Sequence, residues 1–583
     1  MGRNCHPPRT CPHLYRLICA RLRRGLKNEG VIGWALMLGV LVVAAAFSFW
    51  LERGLTFIWD EFIWMENAGL QDVGFYFHPY GGHLIAFPYF IYRAVLELFG
   101  TSYVAYSIIQ VAGLSAAAAL VYVYAKRRLG PILAVAPATM LLFIGSSWQV
   151  LLQPMVGIQF LCAVVPGLAA ILLVERDERR SDIAACGLLC LSAIGFDQVL
   201  PFLAGTIVII ALGPNWRRRI WVAAIPLLGF AVWHLWAMQY EPMAGQPSNI
   251  PLLPTYFFDS LAAYSNALVG LDVLVGPGPW SLLRLERSDI NIISEAAVFA
   301  VLELLAICGA IWLMRIRRGI PRTFWPAATM LVVLIAELGV VFAPGRTAFE
   351  NRYYYTGVLL LLLVLVEFFK GAKTTRATVA VALALTFAAV FGNLPQFREG
   401  RQSLDLYQKQ ARAEMTVVQL AGRHGDQTFD PTIDAREFAP EGMWTETGSW
   451  REIVDRYGSA ADSIPQLRDQ DESVRERADI IAVKALRLRL SGAPETQLRG
   501  CRRVSAAGAE AVELPLPRGG AVLRPGRDSE IAVRRWGDEF AAGLGSVQSG
   551  EPAMLRIPAD PAAGVPWRVR LTQGGPVTVC AIS

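Results

Sequence analysis

Val31–Leu51 reads VIGWALMLGVLVVAAAFSFWL and carries no charged side chain. A hydrocarbon layer about 30 Å thick takes roughly 20 helical residues to cross. The run therefore predicts a membrane-spanning helix. Arg16, Arg21, Arg23, Arg24 and Lys27 precede it. A basic start before an apolar core is also how a signal peptide begins. This run is long for that, and many others follow, so it reads as an uncleaved anchor. Basic residues stay on the cytoplasmic side, which places the N-terminus there.

Working outward, further apolar runs fall at 103–125, 131–146, 155–174, 183–196, 199–213, 220–239, 292–314, 324–343, 354–370 and 376–392. With the first they make about 11 transmembrane helices. Lys126–Arg128 follow the second span, and Arg176, Arg179 and Arg180 the fourth. Arg217–Arg219 follow the sixth, Arg315, Arg317 and Arg318 the eighth, and Lys370, Lys373 and Arg376 the tenth. All are even-numbered exits, as a cytoplasmic start requires. Reading 183–213 as one helix would reverse every later loop, so a hairpin is expected there.

The composition agrees. Of 583 residues 54% are hydrophobic and 17% charged, with a mean hydropathy of +0.40; soluble domains average about 25% charged. The net charge of +6 reflects basic clusters beside apolar runs, not nucleic-acid binding. The expected organisation is a basic cytoplasmic tail (1–30), a transmembrane domain (31–392) with an outer loop at 52–102, an outer helical segment (393–490) and an outer β-rich part (491–583). Leu404, Tyr407, Ala411, Met415 and Val418 recur at helical spacing. After Ser491 short runs between Gly and Pro read as strands of a small β-sandwich. Of nine cysteines, only Cys501 and Cys580 lie in this outer part, and an oxidising compartment permits them to pair.

The polar residues gather on the outer side. Asp60 and Glu61 lie among Leu55, Phe57, Ile58, Trp59, Phe62, Ile63 and Trp64. Such surroundings desolvate a carboxylate and suit a general base. Two adjacent carboxylates also suit a divalent cation, Mg or Mn, and a solvated loop pair is the plain alternative. His78 and His83 flank Pro79-Tyr80-Gly81-Gly82, where the glycines predict a tight turn or a close approach to a ligand. The histidines bind a ligand there or merely anchor the turn. Leu84–Phe99 reads as an interfacial helix, since Arg93 and Glu97 interrupt it. Arg346 and Arg352 lie in an outer loop, against the charge bias, and a guanidinium there suits a phosphate. Tyr353 next to them suits a sugar ring or the interfacial aromatic belt. Asp197 and Gln198 mark the hairpin turn, with Gln153 and Gln159 near another outer edge. Glu303 falls mid-span and Glu337 nearer the outside. Intramembrane carboxylates are costly and often functional, but a hydrogen bond between helices accounts for Glu303.

An acidic pair in the first outer loop, then His-Pro and Gly-His-Leu leading to an amphipathic helix, resembles the GT-C superfamily of membrane glycosyltransferases. The layout over 31–392 resembles it too. The resemblance implies an inverting transferase that takes a sugar from a polyprenyl-phosphate donor to a glycan or lipid acceptor of the cell envelope. It implies Asp60 as the base, with Glu61 as the alternative, and on that reading Glu61 supports Asp60 or binds a cation and His78 and His83 position the substrate; Asp197, Gln159 and Tyr353 are further candidates for the substrate site from their place on the outer side. Arg346 and Arg352 would grip the lipid phosphate. The last part resembles the outer carbohydrate-binding sandwiches of some arabinosyl- and mannosyl-transferases. Richness in Ala, Arg, Gly and Pro suggests a bacterium with a GC-rich genome, so with the spans the expected location is the bacterial cytoplasmic membrane. Two other readings stand beside this one. A transporter or flippase of a lipid-linked saccharide would show repeat symmetry, which the sequence lacks. A non-catalytic glycan-binding envelope protein would not need the carboxylates or outer arginines.

Overall fold

The computed structural model describes residues 12–241, 245–270, 309, 319–342, 346–422, 431–437, 442–493, 498–505, 511–558, 564–573 and 575–582. The expected span 292–314, with Glu303, lies outside them. The chain divides into two compact units. The first holds Met1–Arg53, Phe77–Pro88 and Tyr106–Arg401, and the second Gly54–Tyr76, Tyr89–Ala105 and Gln402–Ser583. The loop 52–102 is therefore shared between them.

The described helices up to residue 270 are α1 (Pro12–Leu51), α2 (Asp60–Leu70), α3 (Ala86–Phe99), α4 (Tyr103–Leu129), α5 (Val135–Leu142), α6 (Trp148–Leu152), α7 (Pro154–Val174), α8 (Arg179–Ala193), α9 (Val199–Ala211), α10 (Trp216–Arg219), α11 (Trp221–Ala237) and α12 (Leu253–Val269). Then come α13 (Phe324–Val340), α14 (Asn351–Phe368), α15 (Arg376–Gly422), α16 (Thr447–Tyr457), α17 (Ile464–Arg468) and α18 (Glu472–Ala485). Every expected span that lies within the described residues holds a helix. Among the described residues five helices are long and apolar enough to cross a membrane, or six if a bent pair counts as one; α9, α11 and α13 are shorter and apolar. Val31 is 70% exposed, Trp50 67% and Leu383 65%. Apolar side chains turned outward along α1 and α15 suit lipid tails, not water. The protein is a mostly helical, multi-pass membrane protein with a C-terminal β domain.

In the first unit the expected hairpin forms. The α8 and α9 helices meet at the turn Ile194–Gln198. Their far ends meet at Arg219, which is buried. Its guanidinium donates to Asp182 at the start of α8, at 2.7 and 2.9 Å, and to the Val174 carbonyl at the end of α7, at 2.6 Å. The basic exits of α4, α7 and α14 gather as a second such knot. Arg128 on α4 pairs with Glu367 on α14 and Glu175 after α7. Glu367 is wholly buried and also accepts from the Tyr124 hydroxyl at 2.9 Å and the Thr323 hydroxyl at 2.5 Å. The alternation of basic exits seen in the sequence thus corresponds to shared ends of the bundle.

The expected span 131–146 is broken. After α5 the chain turns at Gly145–Ser147 and continues as α6, bent by 47°. A Cβ on Gly145 would come within 2.1 Å of the Asn393 carbonyl oxygen of α15. The chain therefore gives up a straight helix for close packing. The boundary expected at 393 is not a break either. α15 runs through it with Pro395 inside, and the two units divide between Arg401 and Gln402.

In the second unit the strands are β1 (Leu490–Gly492), β2 (Leu498–Val504), β3 (Val512–Pro515), β4 (Gly520–Pro525), β5 (Ser529–Arg534), β6 (Ala542–Val547), β7 (Ala553–Arg556), β8 (Arg568–Leu571) and β9 (Val577–Ile582). They form antiparallel sheets of five and four strands, in the orders β1-β7-β4-β9-β2 and β3-β8-β5-β6. Burial alternates along β3 and β5, as in strands with one face on a core. A disulfide joins Cys501 to Cys580, tying β2 to β9 where their register shifts between Arg499 and Arg502. Asp479 on α18 fastens the helix to the sheet by accepting from the Arg535, Trp536 and Gly537 amides at 2.9, 3.0 and 2.9 Å.

Two expectations concern stability. Burial raises the Asp479 carboxyl to about 6, against the lowering effect of those three amides. A carboxyl raised on folding binds its proton more tightly in the native state. Its contribution is fullest below about 4 and is lost as pH rises through about 6. Asp479→Asn should remove this slope, so the variant's unfolding free energy relative to the parent should improve between pH 4.5 and 7. Glu367→Ala should leave the Arg128 charge short of a partner and cost about 3–5 kcal/mol. Thermal melts in detergent check this, and the double change Glu367→Leu with Arg128→Met should recover most of the loss.

Candidate functional site

The acidic pair belongs to the second unit. Trp59 precedes α2 with φ 52 and ψ −126. A bulky residue in the left-handed region costs on the order of 1–3 kcal/mol and persists only where its surroundings enforce it. Here the Trp59 amide donates to the Gly442 carbonyl at 2.8 Å, and Trp59 bridges Met443 in parallel. Its ring centroid lies 4.8 Å from that of Tyr407. Met443 is itself braced by buried Glu414, which accepts from the Met443 amide at 2.6 Å.

This strained turn sets the two carboxylates in opposite directions of burial. Asp60 opens α2 and is half-buried, at the helix end whose dipole favours an anion. Glu61 is fully buried and accepts from the Ile58 amide at 2.8 Å. Desolvation, expected of Asp60, thus falls on Glu61, which closes the turn. The rest of α2 is pinned by its polar face. Glu66 accepts from the Ser449 hydroxyl at 2.8 Å and from that of Thr445. Arg93 donates to the Gly69 carbonyl at 2.6 Å. Phe62 packs edge-on to Trp450 at 5.2 Å.

His78 and His83 belong to the first unit. Tyr80 and His83 exchange backbone hydrogen bonds of 3.0 and 3.1 Å across Gly81 and Gly82, whose φ values are 57 and 83. Two consecutive positive φ values define the tight hairpin turn that glycine alone adopts freely. The Gly82 amide donates to Glu241 at 2.8 Å, and the Trp233 indole to the Phe77 carbonyl at 2.8 Å. His78 packs against Tyr240 at 4.6 Å and Trp236 at 5.3 Å, which is the anchoring role.

His83 does something different. Its Nδ1 lies 2.5 Å from Asp197 Oδ2, with both side chains partly exposed. Among the described residues the other Asp197 oxygen is buried without a hydrogen-bond partner, as is Glu337 Oε2. Gln159 is half-buried next to Phe160, whose ring packs on Phe196 at 5.1 Å. Thr356 donates to Gln198, which brings the second turn of α14 beside Asp197's neighbour. The turn before it carries Arg352 and buried Tyr353, with the guanidinium 5.3 Å from the Tyr353 ring. Arg346 is half-buried just before it, with no ion-pair partner among the described residues. Gly345 lies outside them.

The structure thus joins His83 to Asp197 and draws Gln198 toward the start of α14. Asp60 and Glu61 fall in the other unit. Sequence reasoning missed Glu241. Glu241 closes an aromatic run, Trp233–Trp236–Tyr240, and a carboxylate at such a membrane edge was the available signal. Among the described residues no three His, Cys, Asp or Glu side chains gather as a metal site.

No protein-family model matches the chain, and no curated protein matches it either. Two solved structures are similar to it. One is ArnT from Cupriavidus metallidurans bound to undecaprenyl phosphate, at 12% identity over 69% of this chain and 82% of that one, with a TM-score of 0.40. The other is the Archaeoglobus fulgidus oligosaccharyltransferase tethered to an acceptor peptide with the NVT sequon, at 13% identity over 72% and 63%, with a TM-score of 0.36. Overlaps this loose carry no residue correspondence.

The different burial of the acidic pair predicts different damage. Glu61→Ala should strand the Ile58 amide and cost about 1–3 kcal/mol. Asp60→Asn should stay within about 0.5 kcal/mol of the parent. Melting midpoints of the purified variants check the contrast.

Proposed function

We propose that the chain is an integral membrane glycosyltransferase. It moves a sugar from a polyprenyl-phosphate donor to a cell-envelope glycan or lipid on the outer face of the bacterial cytoplasmic membrane. The observation that carries this reading is the Trp59–Glu61 turn. It holds one carboxylate half-open at a helix start and buries its neighbour as the brace. Backbone strain enforced by surrounding contacts is characteristic of sites where a side chain must be aimed.

In this reading Asp60 takes the proton of the acceptor hydroxyl as its oxygen bonds to the anomeric carbon. The bond from that carbon to the phosphate oxygen breaks, the configuration inverts, and the lipid phosphate leaves with the electron pair. Arg346 and Arg352 meet the charge that grows on the phosphate. His83, oriented by Asp197, contacts the substrate through its other ring nitrogen, and His78 and Glu241 hold the hairpin that carries it. Glu61 serves Asp60 by fixing the turn.

The test is complementation. Deleting the gene should change the envelope glycans and accumulate a lipid-linked sugar. Asp60→Asn, at unchanged protein level, should restore transfer about 100-fold less well than the parent or worse. Full restoration by Asp60→Asn would overturn the assignment. His83→Ala and Asp197→Asn should each weaken transfer, and together no more than either alone, because the two act as one unit.

A further inference from the structure

The second unit contains a cleft that neither the turn at Asp60 nor the sheets use. It lies where the end of α15 meets the loop Ser459–Ser463 and the start of α17, and it holds about 400 Å³. That is the size of a small-ligand cleft. The sequence leaves it open. Gly458-Ser459-Ala460-Ala461 follows α16 with no large side chain, so that loop cannot fill the space against α15.

The lining is polar without being charged. Of the described residues that line it, only Asp462 is ionisable. Asp462 is buried and both its oxygens are taken, one by Arg412 at 2.8 Å and the other by the Gln470 side-chain amide at 2.9 Å. Arg412 is committed as well, since it also donates to the Gly54 carbonyl at 2.7 Å.

What remains for a ligand is a pair of held side-chain amides. Gln466 Oε1 accepts from the Ser463 amide at 2.8 Å and from the Ser463 hydroxyl at 2.7 Å. A backbone N–H only donates, so this bond fixes which end of the Gln466 side chain is oxygen. Gln419 Oε1 accepts from the Ser459 hydroxyl, which itself accepts from the Ala461 amide at 3.0 Å. Among the described residues neither amide nitrogen has a partner, and each has two N–H donors to give. Leu420, Ile464 and Pro465 add apolar surface to the walls.

We propose that this cleft binds a neutral saccharide. The Gln419 and Gln466 nitrogens donate to sugar hydroxyls, and the apolar walls take the C–H face of the ring. An anion meets no uncommitted cation in this lining. An extended peptide pairs with a strand edge, and these walls are two helices and a short loop. On the transfer reading the saccharide belongs to the acceptor, a glycan and not a lipid; the binding itself does not depend on that reading.

The full chain in phosphatidylcholine nanodiscs, free of sugar-based detergent, can be titrated by calorimetry with cellotetraose, maltotetraose and mannotetraose, and with tetragalacturonic acid as the charged control. At least one neutral tetrasaccharide should bind, and the acid should not. Gln466→Ala and Gln419→Met should each weaken that binding about five-fold, the share of one hydrogen bond. Gln419→Met keeps the side-chain volume, so it carries the comparison if melting midpoints show that Gln466→Ala is unfolded. Binding is read apart from transfer, so it succeeds or fails independently of complementation. No binding by any of the three, equal binding by parent and both variants, or preference for the acid overturns the proposal. Loss of binding in Asp60→Asn with full retention in Gln419→Met also overturns it, since the saccharide would then sit at the site of transfer.

Discussion

A fully buried carboxylate, Glu367, holds the helical unit together at one end. It receives Arg128 and Tyr124 from α4 and Thr323 from the segment before α13, while sitting on α14 itself. Three separate parts of the chain thereby share one charge. Each polar atom in the knot is satisfied only while the others stay in place, which makes the end rigid. The helices that leave it run to the opposite end, where His83, Asp197 and the start of α14 lie. A stiff base gives those side chains fixed positions.

The second unit uses strain where the first uses charge. Trp59 adopts a backbone conformation it would not choose alone, and the 442–443 segment, Tyr407 and buried Glu414 hold it there. The result is a division of labour between adjacent residues of the same chemical type. Glu61 is consumed by the fold and Asp60 is presented. A sequence cannot show that division, because both carboxylates have the same neighbours in the chain.

The helices were legible because their signal is local. A charge-free run and the alternation of basic exits need no tertiary information, and the hairpin at 183–213 followed from charge bookkeeping. The strands after Ser491 were legible from short runs between Gly and Pro. The glycine pair at 81–82 announced its turn, since few residues accept positive φ. What failed was set by contacts far along the chain. Residues 131–146 look like a span, but Asn393 presses on Gly145 and the helix bends there. The apolar surroundings of Asp60 suggested burial, but the turn buries Glu61 instead. Glu241 was overlooked because its partner, the Gly82 amide, lies 159 residues earlier. The pairing of His83 with Asp197 was likewise invisible, although both residues had been singled out.

The order of strands in the five-stranded sheet has a consequence for synthesis. Among the described residues β2 pairs only with β9, and β9 also borders β4 in that sheet. As the chain emerges from the ribosome, β2 has no partner until Val577–Ile582 appears. Cys501 waits as an unpaired thiol for the 79 residues that separate it from Cys580. The β1-β7-β4 part of the sheet is complete in sequence by Arg556, and the β9-β2 edge closes last. Through that interval an exposed strand edge and a reactive sulfur are both open to other chains, so this part of the protein should depend most on folding helpers.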